Sequence, residues 1–434
     1  MNYIEFALLF YKHIVLCLTV YGLFIFLLTS FFKKQLVGIL DVFVVSYILP
    51  VAAILTIFVL LYTQNYIQTG IILELGLYFS LVIVGYKNSL AITDRGIKYR
   101  KESKLFFSAF YFLHSMLFTL IFVYYVLKFG IAAVGMSNKV TVRYNNGLIF
   151  YCINILPTGQ VILFNIKRKL YNSRNLMDFV YIGMTFVLCL IGGSKAGLLT
   201  YITQFFTIAF LIDARFLNIK KRIVFFNAKY FFYILLSLLF VIIYSVIENS
   251  VGEDSLLKEI FIKFFEFGDV YYLTLPDGYY KDFQDFSLAT YFIKPLFGPL
   301  RRLLPLKDNY IIGFKVMDHI FNIKGSTTGP TARTLYILFV TSHKILNCFI
   351  AYAMGLLFGK SRKLNILKGS FLGVYISLFL LTIIHNLFVD FTSFADRILP
   401  IIIVFILYFS SYILCLSIIG NQGSTLRYKG EIVF

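Results

Sequence analysis

The sequence predicts an all-α integral membrane protein with about eleven transmembrane helices and one large helical loop outside the membrane. Three observations predict it. Of the 434 residues, 59% are hydrophobic and only 14% charged, where a soluble domain carries about 25% charged residues. Apolar runs long enough to cross roughly 30 Å of hydrocarbon recur along the whole chain. The basic residues gather in alternate short loops, the pattern that sets orientation in a bilayer. Backbone groups inside lipid have no water to bond, so runs of this kind are read as helices.

The apolar runs place spans at 12–32, 41–63, 66–86, 105–127, 147–166, 176–192, 196–213, 230–247, 335–358, 371–389 and 398–419, and ten to fourteen spans fit the same pattern. Lys33 and Lys34, Lys87 to Lys104, KRKLYNSR at 167–174, Arg215 to Lys229 and GKSRK at 359–363 then share one face. That face is read as cytoplasmic, which puts the N-terminus outside. The formal charge of +19 is a topology signal on this reading, and no nucleic-acid partner is expected. The opening residues have an acid and no basic n-region, so they read as a retained helix.

The segment from Glu248 to Arg333 has 10 basic and 11 acidic residues and is read as a translocated loop. At about 85 residues it far exceeds ordinary connections, and such loops usually carry function. Its stretches LLKEIFIKFFEF and FSLATYFIKPLFGPLRRLL have the pattern of helices lying on a membrane surface. The organisation reads as an N-terminal transmembrane bundle (1–247), a large loop (248–334), and C-terminal transmembrane helices with a short tail (335–434). The five cysteines lie in apolar runs without C-x-x-C spacing, which points to neither disulfides nor a thiolate metal site.

Three cations oppose the positive-inside bias: Lys195 in GGSKAG, Arg333 in GSTTGPTART and Arg397 in DFTSFADRILP. Each lies near the outer, N-terminal end of an inward-running helix, where the macrodipole disfavours a cation by a few tenths to about 1 kcal/mol. An anion reverses that sign, and helix N-termini bind phosphate. The plain alternative is that these cations snorkel to lipid headgroups or pair with acids, as Arg397 with Asp390 or Asp396. Arg302 extends the basic patch and Lys344 offers a further anion contact.

His319 and His385 are the histidines nearest the outer face. His385 stands about one helical turn from Asp390 and is a candidate acceptor of a hydroxyl proton; the alternative is a hydrogen bond to a neighbouring helix. In FGDVYYLTLPDGYYKDFQD, tyrosines including Tyr272 and Tyr280 interleave with aspartates. Aromatic faces beside carboxylates suit a sugar, although an aromatic interface belt has the same composition.

The stretches GGSKAGLLTYITQFF at 192–206 and GSTTGPTARTLYILFVTSHKILNCFIAYAMGLLFG at 325–359, with the large loop before the last helices, resemble the Wzy family of oligosaccharide repeat-unit polymerases. Arg302 to Gly313 fits the family's arginine, ten residues, glycine spacing, whereas the same step from Arg333 lands on Lys344. The resemblance implies a GT-C-like fold in the bacterial inner membrane. It implies a metal-independent glycosyltransferase, without cofactor, that moves a growing glycan from undecaprenyl diphosphate to a sugar hydroxyl of the incoming lipid-linked unit at the periplasmic face. Arg333, His385 and Asp390 would be catalytic; Lys195, Arg302, Arg397, His319, Lys344, Tyr272 and Tyr280 would bind substrate. Implied partners are undecaprenyl-diphosphate-linked oligosaccharides, membrane lipids and a chain-length regulator of the Wzz type. The rivals are a lipid-linked oligosaccharide flippase and an O-antigen ligase.

Overall fold

Among the described residues, sustained apolar runs fold as helices. The computed structural model describes residues 1–32, 36, 41–91, 104–129, 139–191, 195–216, 265–284, 291–294, 296–297, 312–321, 333–362 and 371–389, with isolated positions as far as 417. Among the described residues every regular element is helical. The elements are α1 (Tyr3–Lys12), α2 (Ile14–Phe32), α3 (Val44–Thr63), α4 (Thr69–Ala91), α5 (Lys104–Phe129), α6 (Lys139–Leu170), α7 (Leu176–Ile191) and α8 (Lys195–Phe216). After them come α9 (Asp269–Thr274), α10 (Ile312–Phe321), α11 (Thr334–Val340), α12 (Lys344–Ser361) and α13 (Phe371–Val389).

Five described stretches are long and apolar enough to cross a membrane: Ile14–Phe32, Val44–Thr63, Thr69–Ser89, Phe107–Lys128 and Phe371–Phe388. They overlap five of the expected spans, and α6, α7 and α8 cover three more. The expected span 230–247 lies outside the described residues, and 398–419 is described only at scattered positions. In the spanning windows of α3 and α13, 78% of residues are buried, against 6% in α2. Exposed Val15, Phe26, Leu127 and Ile345 make up a surface that water penalises and lipid does not.

A π-turn at Val44–Ile48 opens α3, with the Leu49 N–H reaching back five residues to the Val44 carbonyl. Pro50 follows it. Proline has no N–H and its ring displaces the carbonyl four residues earlier, and the wider turn relieves both problems. Asp41 starts the helix: its Oδ1 accepts the Phe43 N–H at 2.8 Å, and the Thr207 hydroxyl of α8 accepts the Val42 N–H at 3.1 Å. The Arg362 guanidinium, at the end of α12, donates to both Asp41 oxygens at 2.6 and 2.7 Å. Neither side chain is more than 3% exposed. Arg362 belongs to the GKSRK stretch read as part of the basic face, and its charge pairs inside the protein with Asp41.

Helices α4 and α12 run parallel in backbone contact. A Cβ at Gly355 would stand 2.1 Å from the Val82 carbonyl oxygen, one at Gly85 would stand 2.2 Å from that of Tyr352, and one at Gly359 would overlap Ser89. Gly355 and Gly359 form a small-xxx-small stripe with Ala351, the pattern by which helices approach closely where lipid removes the hydrophobic drive to associate.

The expected span 335–358 is not one helix. Thr341 is extended, and α11 and α12 meet at a sharp turn over Thr341–His343. The Asn347 amide donates across it to Leu338 O at 2.7 Å and to Thr341 O at 3.3 Å, and Lys344 Nζ donates to Phe339 O at 2.5 Å. These bonds satisfy carbonyls that the end of α11 would otherwise leave open.

Elsewhere α5, α6 and α7 share a buried polar chain. Lys167 pairs with Asp178 at 2.7 Å, Tyr111 donates to the same oxygen at 2.8 Å, and the Gln160 amide donates to Tyr111 and Ser115 at 3.2 Å each.

Two outcomes follow from this packing. Gly355→Ala must push α4 and α12 apart and is expected to cost about 1–3 kcal/mol, read as a lower Tm in detergent. Gly76→Ala, on an open face of α4, should leave Tm unchanged. Arg362→Met alone strands a buried carboxylate and is expected to cost about 3–5 kcal/mol. Adding Asp41→Asn, which keeps the helix cap, should recover most of it; a double variant as unstable as the single one would show that the pairing is not what matters.

Candidate functional site

The candidate site forms where part of the large loop enters the bundle. Residues Glu266–Gly268 make a 3₁₀ turn that runs directly into α9. Gly268 permits the approach, because a Cβ there would lie 2.4 Å from Ile57 of α3. Phe267, Tyr271 and Thr274 follow at intervals of four and three, the spacing that lines one helical face. Tyr271 packs edge-on against Phe58 of α3 with centroids 5.3 Å apart. The neighbouring Tyr272 faces away and stacks on Phe6 of α1 at 3.8 Å and 4°. Met1 pairs with Asp277 at 2.7 Å, so α1 and this loop segment lie together.

Helix α11 meets the Phe267–Tyr271–Thr274 face. Arg333, the residue before α11, is 6% exposed. Its Nε donates to the Phe267 carbonyl at 2.8 Å and its guanidinium lies 5.1 Å from the Phe267 ring centroid. Tyr336 packs edge-on against Tyr271 at 5.3 Å and 87°, and its hydroxyl donates to Thr274 Oγ1 at 2.8 Å. The Thr334 hydroxyl donates to the Leu387 carbonyl of α13. Arg333 is thereby carried to the end of α13, where His385 stands two residues before Leu387.

Burial raises the Tyr271 phenol well above its ordinary range, and the Arg333 charge opposes that shift. The guanidinium thus acts on the phenol as a neighbouring charge. Further along the loop, His319 lies flat on Tyr279, with centroids 3.6 Å apart and planes within 7°. Burial and the Asp282 and Asp318 carboxylates raise the Tyr279 phenol. Burial and, after it, nearby Lys294 lower Lys315.

Among the expected site residues, Arg333 and His385 lie on segments that the Thr334–Leu387 hydrogen bond joins. His385 is buried and its Nδ1 faces the Thr382 carbonyl of its own helix. Lys344 is occupied by Phe339 O and by Glu74 at 2.7 Å. Tyr280 tilts against Phe339 at 5.3 Å, exposed His319 stands on the α10 rim, and the stacking face of Tyr272 is covered by Phe6. Lys195 opens the backbone of α8, while its side chain falls outside what is described. Arg302, Asp390 and Arg397 also lie outside the described residues. No group of three or more potential metal ligands occurs among the described residues.

Residues that sequence reading did not single out include Phe267, Thr334, Tyr336, Asn347 and Glu74. Two left a signal: Glu74 and Asn347 are polar residues inside apolar helices, which must face protein or water. The chain matches no family model, and no curated protein or solved structure is similar to it.

Proposed function

We propose that this chain is a surface-polysaccharide polymerase of the bacterial inner membrane, acting at the periplasmic face on undecaprenyl-diphosphate-linked oligosaccharides. The reading rests above all on Arg333. A guanidinium 6% exposed is anchored through Nε to a loop carbonyl at 2.8 Å, at the joint of the large loop, α11 and the end of α13. The resemblance to Wzy polymerases assigns the same residue to the diphosphate.

In the proposed reaction a sugar hydroxyl of the incoming unit attacks the anomeric carbon of the growing glycan. The bond from that carbon to the lipid diphosphate breaks, a glycosidic bond forms, and undecaprenyl diphosphate departs with the electron pair. Arg333 stabilises the charge that develops on the leaving diphosphate, the kind of electrostatic term that often dominates such catalysis. His385 with Asp390 accepts the hydroxyl proton; the acceptor is Nε2, because Nδ1 faces the Thr382 carbonyl. Lys195, Arg302 and Arg397 extend the anion contacts. His319 on Tyr279, with Tyr280 and the adjoining aspartates, lies where the glycan would pass. A Wzz-type chain-length regulator is the proposed protein partner.

Gel profiling of surface glycan in a strain lacking the gene tests this. Restoring the wild-type gene should turn a core bearing a single repeat into a ladder. Arg333→Ala, at equal membrane abundance, should leave the single repeat, a rate loss on the order of 10²–10³ as for removal of an oxyanion donor. Arg333→Lys should restore little, since an ammonium does not reproduce the guanidinium fork. A normal ladder from Arg333→Ala would overturn the assignment. Loss of all surface repeats on deletion, with lipid-linked units accumulating, would favour the flippase or ligase.

A further inference from the structure

The face formed by Phe267, Tyr271 and Thr274 meets α11 in three rungs, and the middle one is incomplete. The outer rungs are closed by hydrogen bonds: Arg333 Nε to Phe267 O, and the Tyr336 hydroxyl to Thr274 Oγ1. Between them, the Tyr271 ring packs edge-on against Phe58 and Tyr336. Its hydroxyl is buried and has no hydrogen-bond partner among the described residues. Buried donors left unmade cost free energy, and in native proteins they tend to mark an ion, a water or a role in chemistry.

We propose that the Tyr271 hydroxyl and the Arg333 guanidinium together form an oxyanion site for a phosphate or diphosphate group. Three features point to an anion. The unused group is a hydroxyl able to donate, its neighbour is a cation, and the three residues of the face, Phe267, Tyr271 and Thr274, are themselves uncharged. The helical phase aims Tyr271 at Arg333, because Phe267, whose carbonyl holds the guanidinium, lies four residues earlier on the same face. Arg333 keeps 6% exposure and Tyr271 has none. An entering anion therefore meets the guanidinium first and the phenol second. On the polymerase reading, on which the catalytic use of this site rests, Tyr271 is a substrate-binding residue that donates to the departing diphosphate. The binding site itself does not require that reading.

The test uses the purified full-length protein in detergent, with inorganic pyrophosphate and farnesyl diphosphate as probes and binding measured by calorimetry. Tyr271→Phe removes only the unpartnered hydroxyl, so the variant should fold with a Tm equal to or above wild type. It should bind farnesyl diphosphate about tenfold more weakly, which is the effect of one lost hydrogen bond to a charged group. Tyr336→Phe, which breaks a completed rung, should lower Tm and leave affinity within about twofold. Binding of both probes with equal loss in Tyr271→Phe assigns the site to the diphosphate group alone; binding of farnesyl diphosphate only, with the same loss, assigns it to a lipid headgroup. Unchanged affinity in Tyr271→Phe, or no binding of either probe to wild type, overturns the proposal and leaves the hydroxyl to a buried water. The glycan ladder decides the polymerase reading separately: a protein that binds diphosphate through Tyr271 without building chains would keep this site and lose that function.

Discussion

The backbone contact between α4 and α12 is the constraint on which the rest of the site depends. Gly85, Gly355 and Gly359 leave no room for side chains between the helices, which fixes where α12 begins relative to α4. With α12 held there, the turn at Thr341–His343 has one place to be, and Lys344 meets Glu74 of α4. Helix α11 is then directed back into the protein, which carries Arg333 to the loop segment at Phe267 and to the end of α13. A single continuous span over 335–358 would set Arg333 about half a helical turn beyond the membrane-spanning part, among headgroups. The broken helix converts a surface cation into a buried one.

That conversion separates the charged residues by what each can do. Lys344 is 44% exposed and its partner Glu74 is 29% exposed, and pairs of that kind contribute about 0–1 kcal/mol. The larger effect at Lys344 is the bond to Phe339 O, together with those of Asn347, because unpaired carbonyls in lipid cost several kcal/mol each. This makes Lys344 chiefly a closure of the α11 terminus. Arg362 is a buried, bidentate partner of Asp41, so its role is specification of the packed core at the start of α3. Arg333 is held in another way: its Nε is anchored to a backbone carbonyl of the loop segment, which orients the guanidinium.

Much of the helical layout was legible in the sequence, because the bilayer requires long apolar runs and charged residues punctuate them. The break in α11–α12 was less so. Thr341, Ser342 and His343 contain neither proline nor glycine, and the run on both sides is apolar; the turn exists because Asn347 reaches Leu338 and because α4 holds α12 in place. The pairing of Arg362 was not legible for a similar reason. Its neighbours in GKSRK read as a basic loop, and Asp41 lies 321 positions away. The sequence reading singled out Tyr272 and passed over Tyr271, although spacing alone does not separate them, since both occupy the same aromatic stretch. Their fates diverge once Gly268 sets the segment on α3, which turns Tyr271 toward Arg333 and Tyr272 toward Phe6.

The electrostatics of the proposed chemistry favour such a buried arrangement. A departing diphosphate gains negative charge, and a cation stabilises it more strongly where water is excluded, because the effective dielectric falls from about 80 toward about 20 or below. A headgroup-level lysine would be screened within a Debye length of about 8 Å at physiological salt and would reorganise as the bond broke. A guanidinium whose Nε is fixed to Phe267 O has already lost that freedom during folding, so its field is in place before the reaction begins. Holding the charge there requires both elements of the clamp: the loop segment supplies the carbonyl, and α11 supplies the arginine. The large loop on this account is part of the transfer site, and the glycine contact far from it is what keeps the two halves in register.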